Sequence, residues 1–380
     1  MKSNLIINII SAHIQKKEQA FHAAVKALID DEERKGNVSL ALQVREILAS
    51  GSHHAHSAAI GTSASPDVFL ASALPKDKDS ALSLVDIITP EEKLSEVLLP
   101  SEISENIYQI IHEQKRVDEL SALGMAPTHK LLFFGPPGCG KTLTAHAIAH
   151  ELGLPLVEVK LDGLVSSFLG QTGANIRKVF DFVKNQKVVL FLDEFDAIAK
   201  KRDDAQELGE LKRVVTTLLQ NIDALSPEVF LIAATNHEQL LDPAIWRRFQ
   251  MTIRIDLPTS TQRQELIEET YNKYLKNITH SIDKKLLCSL SEGMSCAELV
   301  SFLQYIGKYL LLNNSKNVDL DQETISRLWI KCFLLTSGNS DDAKAQVCVK
   351  LKDIGLPMRT IERITGIPKS TISYRLKAMR

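Results

Sequence analysis

No stretch of the chain reaches the ~18–20 consecutive apolar residues a helix needs to cross a bilayer, so no membrane span is expected. Cysteine is scarce: Cys139, Cys288, Cys296, Cys332 and Cys348 are the only five in 380 residues, odd in number and without a C-x-x-C pair. That usage argues against a disulfide framework and for reduced thiols in a cytoplasmic setting. A leader peptide is also poorly supported. The apolar run Leu5–Ile10 is short and is soon followed by His13 and Lys16–Glu18. Neither sign of charge dominates: the formal net charge is −2, which gives no global reason to expect nucleic acid or an anionic membrane. Local charge has to be read separately. What the chain does have is 44% hydrophobic and 24% charged residues, enough for real cores in two or three domains.

The pattern divides along the chain. Residues 1–50 read as a helical hairpin. Apolar residues recur at helical spacing through Phe21–Ile29, Gly36 and Asn37 interrupt, and Ser39–Leu48 resumes. Such a short region suits docking or simple packing against a larger body. Residues 51–80 are small and polar without a period, a flexible linker. Its His53, His54 and His56 lack a neighbouring carboxylate or thiolate and are read as solvated rather than metal-binding. Residues 81–258 read as α/β: Pro100–Leu123 looks helical, and five strand-like segments follow. These are Lys130–Phe134, Leu154–Lys160, Lys187–Leu192, Val229–Thr235 and Met251–Leu257, mostly separated by helical segments. That alternation predicts a parallel five-stranded sheet covered by helices. Residues 259–336 read as a smaller all-helical lid, Ser337–Asp342 as a linker, and 343–380 as a basic helical tail.

The most informative stretch is Gly135–Thr142, GPPGCGKT, which follows the apolar run KLLFF and opens a helix-compatible segment, Thr142–Leu152. It fits the phosphate-binding pattern G-x-x-x-x-G-K-[ST] throughout. Glycines let backbone N–H groups turn inward around a polyphosphate, and the following helix offers its N-terminal dipole to the same anion. Pro137, Gly138, Cys139, Gly140, Lys141, Thr142 and Leu143 are the expected nucleotide-binding residues. Lys141 supplies a point charge for the β and γ phosphates and Thr142 a hydroxyl for Mg²⁺. Cys139 is read as a buried, inert thiol. His146 and His150 share a helix face at i, i+4, and are read as packing or surface residues.

Three further stretches belong with this loop. In Lys187–Asp196, KVVLFLDEFD, an apolar strand ends in two acids, placing Asp193 and Glu194 at the carboxyl edge where ligands of open α/β sheets bind. Asp193 is expected to hold Mg²⁺ together with Thr142, and Glu194 to orient and deprotonate the attacking water. Val229–Asn236, VFLIAATN, ends in an amide that either touches the γ-phosphate and water or merely turns the chain. Asp242–Phe249, DPAIWRRF, sets Arg247 and Arg248 side by side, as a solvated surface or as fingers for a neighbouring subunit's nucleotide.

Together these motifs resemble the AAA ATPases in the narrow sense, the family of katanin, spastin and the proteasomal ATPases, from about Leu94 to Leu335. GPPGCGKT is similar to Walker A, FLDEFD to Walker B, Asn236 to the sensor-1 residue, and Arg247 and Arg248 to the arginine fingers, Arg248 being the better match. Gly293–Leu299, GMSCAEL, is similar to the family segment that packs by the adenine. No sensor-2 arginine of other AAA+ branches is present, and the narrower family also lacks it. The resemblance implies ATP hydrolysis with Mg²⁺ in a ring, usually a hexamer. Ser166–Gly170, SSFLG, resembles the family's pore loop, with Phe168 and Leu169 gripping an extended polypeptide substrate, the alternative being local packing. Arg213 and the Asp203–Glu210 segment look like a second pore loop and its helix. Some bacterial relatives of similar layout are thought to work beside a subtilisin-like protease, which makes a partner protease a further expectation.

The tail is not implied by that resemblance. Met358–Arg380 predicts a short helix over Thr360–Thr365, a turn at Gly366 and a second helix over Lys369–Arg380, with Ile361, Ile364, Ile372 and Leu376 facing inward. The spacing resembles a helix-turn-helix. Between Ala343 and Arg380 nine basic residues stand against two acids, the footprint of phosphate contacts. Lys369, Ser370, Thr371, Ser373, Tyr374 and Arg375 open the expected reading helix and are its candidate duplex-DNA contacts. Protein contacts are the alternative. Two functional readings follow: a ring that threads and remodels protein, tethered to DNA by its tail, or a DNA-binding ATPase acting as loader, regulator or defence switch without threading.

Overall fold

The computed structural model describes residues 74–77, 81–164, 169–199, 210–278, 282–313, 320–338 and 340–378. The expected N-terminal hairpin, nearly all of the linker with His53, His54 and His56, Phe168 of the pore segment, and Asp203–Gly209 lie outside these residues. In chain order the principal elements are β1 (Val85–Ile88), α1 (Ser101–Lys115), β2 (Lys130–Phe134), α2 (Lys141–Leu152), β3 (Leu156–Val159), α3 (Leu169–Val183), β4 (Val188–Leu192), α4 (Glu210–Asp223), β5 (Val229–Thr235) and β6 (Met251–Arg254). There follow α5 (Ser260–Thr270), α6 (Lys284–Leu290), α7 (Cys296–Leu312), α8 (Gln322–Ser337), α9 (Asp341–Asp353), α10 (Met358–Thr365) and α11 (Lys369–Ala378).

The strands form one sheet in the order β1-β3-β4-β5-β2-β6. The five expected strands all run parallel. A sixth, β1, was not expected: it adds antiparallel to the edge, Val85 opposite Val159 and Ile88 opposite Leu156. The central strands β4 (VVLFL) and β5 (VFLIAAT) are buried at every position, as strands covered on both faces must be. Alternate residues feed two cores. Val188, Leu190 and Leu192 pack with α3 and α4 residues such as Val179 and Leu218. Val189 and Phe191 pack on the other face with Ile107 of α1 and Ile148 of α2. The crossing leaves the carboxyl ends of β2, β4 and β5 side by side.

After Pro258 the chain is helical. Capping boxes at Thr259–Gln262 and Ser295–Glu298 set the starts of α5 and α7. The lid core is built on Phe302, Leu303, Ile306, Leu310, Ile325 and Trp329. The tail does not keep a core of its own. Val347, Cys348, Leu351, Ile361 and Ile372 join the lid's cluster. Ile361, Ile364, Ile372 and Leu376 do face inward, but against lid residues as well as one another. Two ion pairs reinforce the union, Lys350 to Glu292 at 2.7 Å and Arg363 to Glu323, while Arg375 pairs with Asp341 at 2.8 Å within the tail. Ile372 is fully buried, so Ile372→Ala is expected to cost about 2–5 kcal/mol. Because that core is shared, hydrogen exchange should accelerate in α7 and α8 as well as in the tail. Acceleration confined to 341–378 would show instead that the tail is an independent unit.

Candidate active site

The loop after β2 is shaped by its neighbours. Gly135 has φ +131°, and a Cβ there would lie 2.2 Å from the Ile255 carbonyl oxygen, at the exit of β6. Gly138 has φ +72°, and a Cβ there would come within 2.8 Å of Ser295 Oγ in the lid. Only glycine meets both the backbone angle and the space. The Gly138 carbonyl also accepts a hydrogen bond from the Ala297 backbone N–H at 3.0 Å, which ties the loop to the first turn of α7.

Lys141 opens α2 and is buried. Its ammonium donates to the carbonyls of Gly135 and Pro136, each at 2.7 Å, which sets a positive charge inside the curl of the loop. Burial holds its pKa below the usual lysine range. The next residue makes the link to the second strand end: Thr142 Oγ1 donates to Asp193 Oδ2 at 2.6 Å. Asp193 Oδ1 accepts from the backbone N–H of Glu194 at 2.8 Å. Glu194 has φ +45°, a left-handed conformation rare for a residue with a side chain. Such positions cost on the order of 1–3 kcal/mol and gather at functional sites. Here the turn drops Phe195 fully into the core and leaves Glu194 exposed at the sheet edge. The β5 end is fastened to the same turn, because Thr235 Oγ1 donates to Asp196 Oδ1 at 2.6 Å. That places Asn236 next in line.

These groups converge on one cavity of about 680 Å³, in the range of small-molecule sites. Its sheet side is Gly138–Leu143, Asp193, Glu194 and Asn236; its lid side includes Leu266, Thr270, Cys296, Ala297 and Val300. GMSCAEL thus contributes Cys296 and Ala297. Pro137 belongs to the loop but does not line the cavity. Cys139 is buried, and burial pushes its thiol up to about 11, far from thiolate reactivity. His146 lies 3.5 Å from Glu92, and His150 Nδ1 lies 3.1 Å from the Pro90 carbonyl oxygen, so both engage the segment that covers α2.

The residues present fit Mg²⁺. The Thr142 hydroxyl and Asp193 carboxylate are hard oxygen donors held together at a helix N-terminus, and Mg²⁺ favours one or two such protein ligands with phosphates and waters. Among the described residues no cluster of three or more His, Cys, Asp or Glu offers a separate metal cage.

Other expected residues lie elsewhere. Arg247 and Arg248 follow the helical turn Pro243–Trp246 and do not line the cavity of their own chain. Arg247 is exposed. Arg248 Nε stands 3.3 Å from Asp223 Oδ1, and its guanidinium donates to the Ala244 carbonyl at 3.3 Å. Leu169 begins α3, and Arg213 is an exposed residue of α4. In the tail, Lys369, Ser370, Ser373 and Tyr374 are exposed on α11, Thr371 is half-buried, and Arg375 turns inward to Asp341. Among the described residues no helix is long and apolar enough to cross a membrane. The cavity also recruits residues without any motif: Glu96–Leu98 ahead of α1, and Glu269, Lys273 and Tyr274 from the lid. Only the tertiary fold brings them there.

The family model described as ATPase family associated with various cellular activities (AAA) matches residues 131–257. A relative from Sinorhizobium fredii (strain NBRC 101917 / NGR234), named Uncharacterized AAA family ATPase y4kL, is 39% identical over 302 residues, covering 80% of this chain and 88% of its own length. Among solved structures, the FIGL-1 AAA domain superposes with a TM-score of 0.53 at 19% identity, over 72% of this chain and 93% of that chain, a likeness of fold.

Proposed function

The chain belongs to the AAA family of ATPases, and from that premise we propose that it hydrolyses ATP with Mg²⁺ in a six-membered ring that remodels protein by threading polypeptide through its centre. The observation that carries the reading is the 2.6 Å contact between Thr142 and Asp193, which joins the phosphate loop to the acidic strand end inside one cavity. In this reading Lys141 meets the β and γ phosphates. Thr142 and Asp193 would hold Mg²⁺, which when bound would neutralise charge developing on the phosphates. Glu194 takes the proton of the attacking water, and the Asn236 amide orients that water against the γ-phosphate. Arg247 and Arg248 act on the neighbouring protomer's nucleotide. Threading is supported by the sequence of the Phe168–Leu169 segment.

Tethering to duplex DNA is supported by the exposed run Lys369, Ser370, Ser373 and Tyr374 on α11. The ion pairs of Lys350, Arg363 and Arg375 reduce the positive field that the composition suggested. The test is ATP turnover per protomer against protein concentration, with and without duplex DNA. Turnover should rise with concentration as seams between protomers form. Turnover that is flat with concentration would count against a shared site. Stimulation by duplex that Lys369→Glu removes would favour the DNA-centred alternative, and equal turnover with and without duplex would count against it. That point substitution is cleaner than deleting the tail, whose Ile361 and Ile372 help fill the lid core.

A further inference from the structure

Among the described residues, a single cation reaches the nucleotide cavity from the lid. The cavity's lining from α5 to α7 is otherwise apolar, small, hydroxylic or acidic; the exception is Lys273. It lies on Tyr271–Leu275, where the helix begun by α5 widens into a π-turn. Such turns are rare and concentrate at functional sites, because the extra residue in the turn reorients the side chains around it. The turn is pinned from behind. Leu275 is fully buried, and its Cδ2 leaves so little room at α7 that a Cβ on Gly307 would sit 3.2 Å from it. With Leu275 held against α7, Lys273 and Tyr274 remain exposed at the cavity. The Lys273 ammonium rests 5.3 Å from the centroid of the Tyr274 ring. An exposed cation–π contact of this kind is weaker than a charge-assisted bond to phosphate.

Among the described residues the other cation lining the cavity is Lys141 of the phosphate loop, already bonded to the loop carbonyls. Leu266, Ala297 and Val300 offer an apolar surface suited to a base, which an ammonium is not. A compact point charge on a flexible four-carbon stem is suited to anionic oxygens. We propose that Lys273 is the lid's ligand to the polyphosphate of the bound nucleotide, so that the lid senses phosphate charge from the side facing the P-loop. This deepens the reading of the cavity as an ATP site and rests on it.

The test compares Mg–ATP with adenosine, using calorimetry for the first and saturation-transfer NMR for the second, on the full chain carrying Glu194→Gln to stop turnover. Adding Lys273→Gln should weaken Mg–ATP binding about tenfold, the scale of a lost hydrogen bond to a charged group. Lys273→Arg should restore most of that loss, and adenosine binding should be unchanged by either substitution. Equal Mg–ATP affinity with and without Lys273 would overturn the proposal. So would a parallel loss of adenosine binding, which would mark Lys273 as a structural residue of the turn. If the parent chain bound adenosine but gained nothing from the phosphates, the ATP-site reading itself would fail, and this proposal with it.

Discussion

Glu194→Gln is expected to leave Mg–ATP binding intact and to lower turnover by about 10²–10⁴-fold, the typical contribution of a positioned general base. The substitution keeps the side chain's shape and removes its ability to take a proton. It also leaves the local scaffold alone, because the geometry around Glu194 is made by other groups. Asp193 holds the turn through the Glu194 backbone N–H, Thr142 holds Asp193, and Phe195 anchors the next position in the core. The left-handed backbone at φ +45° is no harder for glutamine than for glutamate. Binding measured by calorimetry and turnover measured by phosphate release should therefore separate cleanly. A variant that hydrolyses ATP at the native rate would remove Glu194 from the base role. One that also lost nucleotide would mean the side chain shapes the cavity instead.

The parts of this arrangement that were legible in the sequence are those fixed by near neighbours along the chain. A strand, a glycine loop and a helix are covalently contiguous in Lys130–Leu152, so GPPGCGKT between apolar runs already specifies the turn. The apolar runs of β4 and β5 announced strands buried on both faces, and the polar residues after them had to emerge at one sheet edge. What stayed hidden depends on partners distant in sequence. β1 is only four residues, VDII, too short to show a period, and it exists as a strand because β3 offers it an edge. The tail's apolar stripe was visible through Ile361 and Ile372, but an amphipathic face does not name what it buries against, and here it is the lid. Charge counting along the tail likewise missed that Glu292 and Glu323, far upstream, take up part of its positive charge. Glu194's left-handed backbone carries no signal, since no glycine marks it. Lys273 reads as one more solvated lysine until the π-turn and the Leu275–Gly307 contact set it at the cavity.

Arg248→Ala is expected to lower turnover by about 10³-fold or more, the scale of an arginine finger, while leaving nucleotide affinity nearly unchanged. The physical ground is placement. Neither Arg247 nor Arg248 lines the cavity of its own chain, so neither can act on its own nucleotide from where it stands. In the single chain Arg248 leans on Asp223 across a half-exposed ion pair, a contact worth little by itself. Losing that pair must be separated from losing the finger, and Asp223→Asn does so: it frees Arg248 and should keep near-native turnover. The decisive measurement is complementation. Arg248→Ala protomers retain Glu194, and Glu194→Gln protomers retain Arg248, so a seam pairing one of each carries an intact set of groups. Mixed assemblies should hydrolyse ATP faster than either variant alone, in proportion to the fraction of such seams. Mixed rings as slow as their parents would place the arginine's effect within one protomer, where the structure gives it no path to the phosphates.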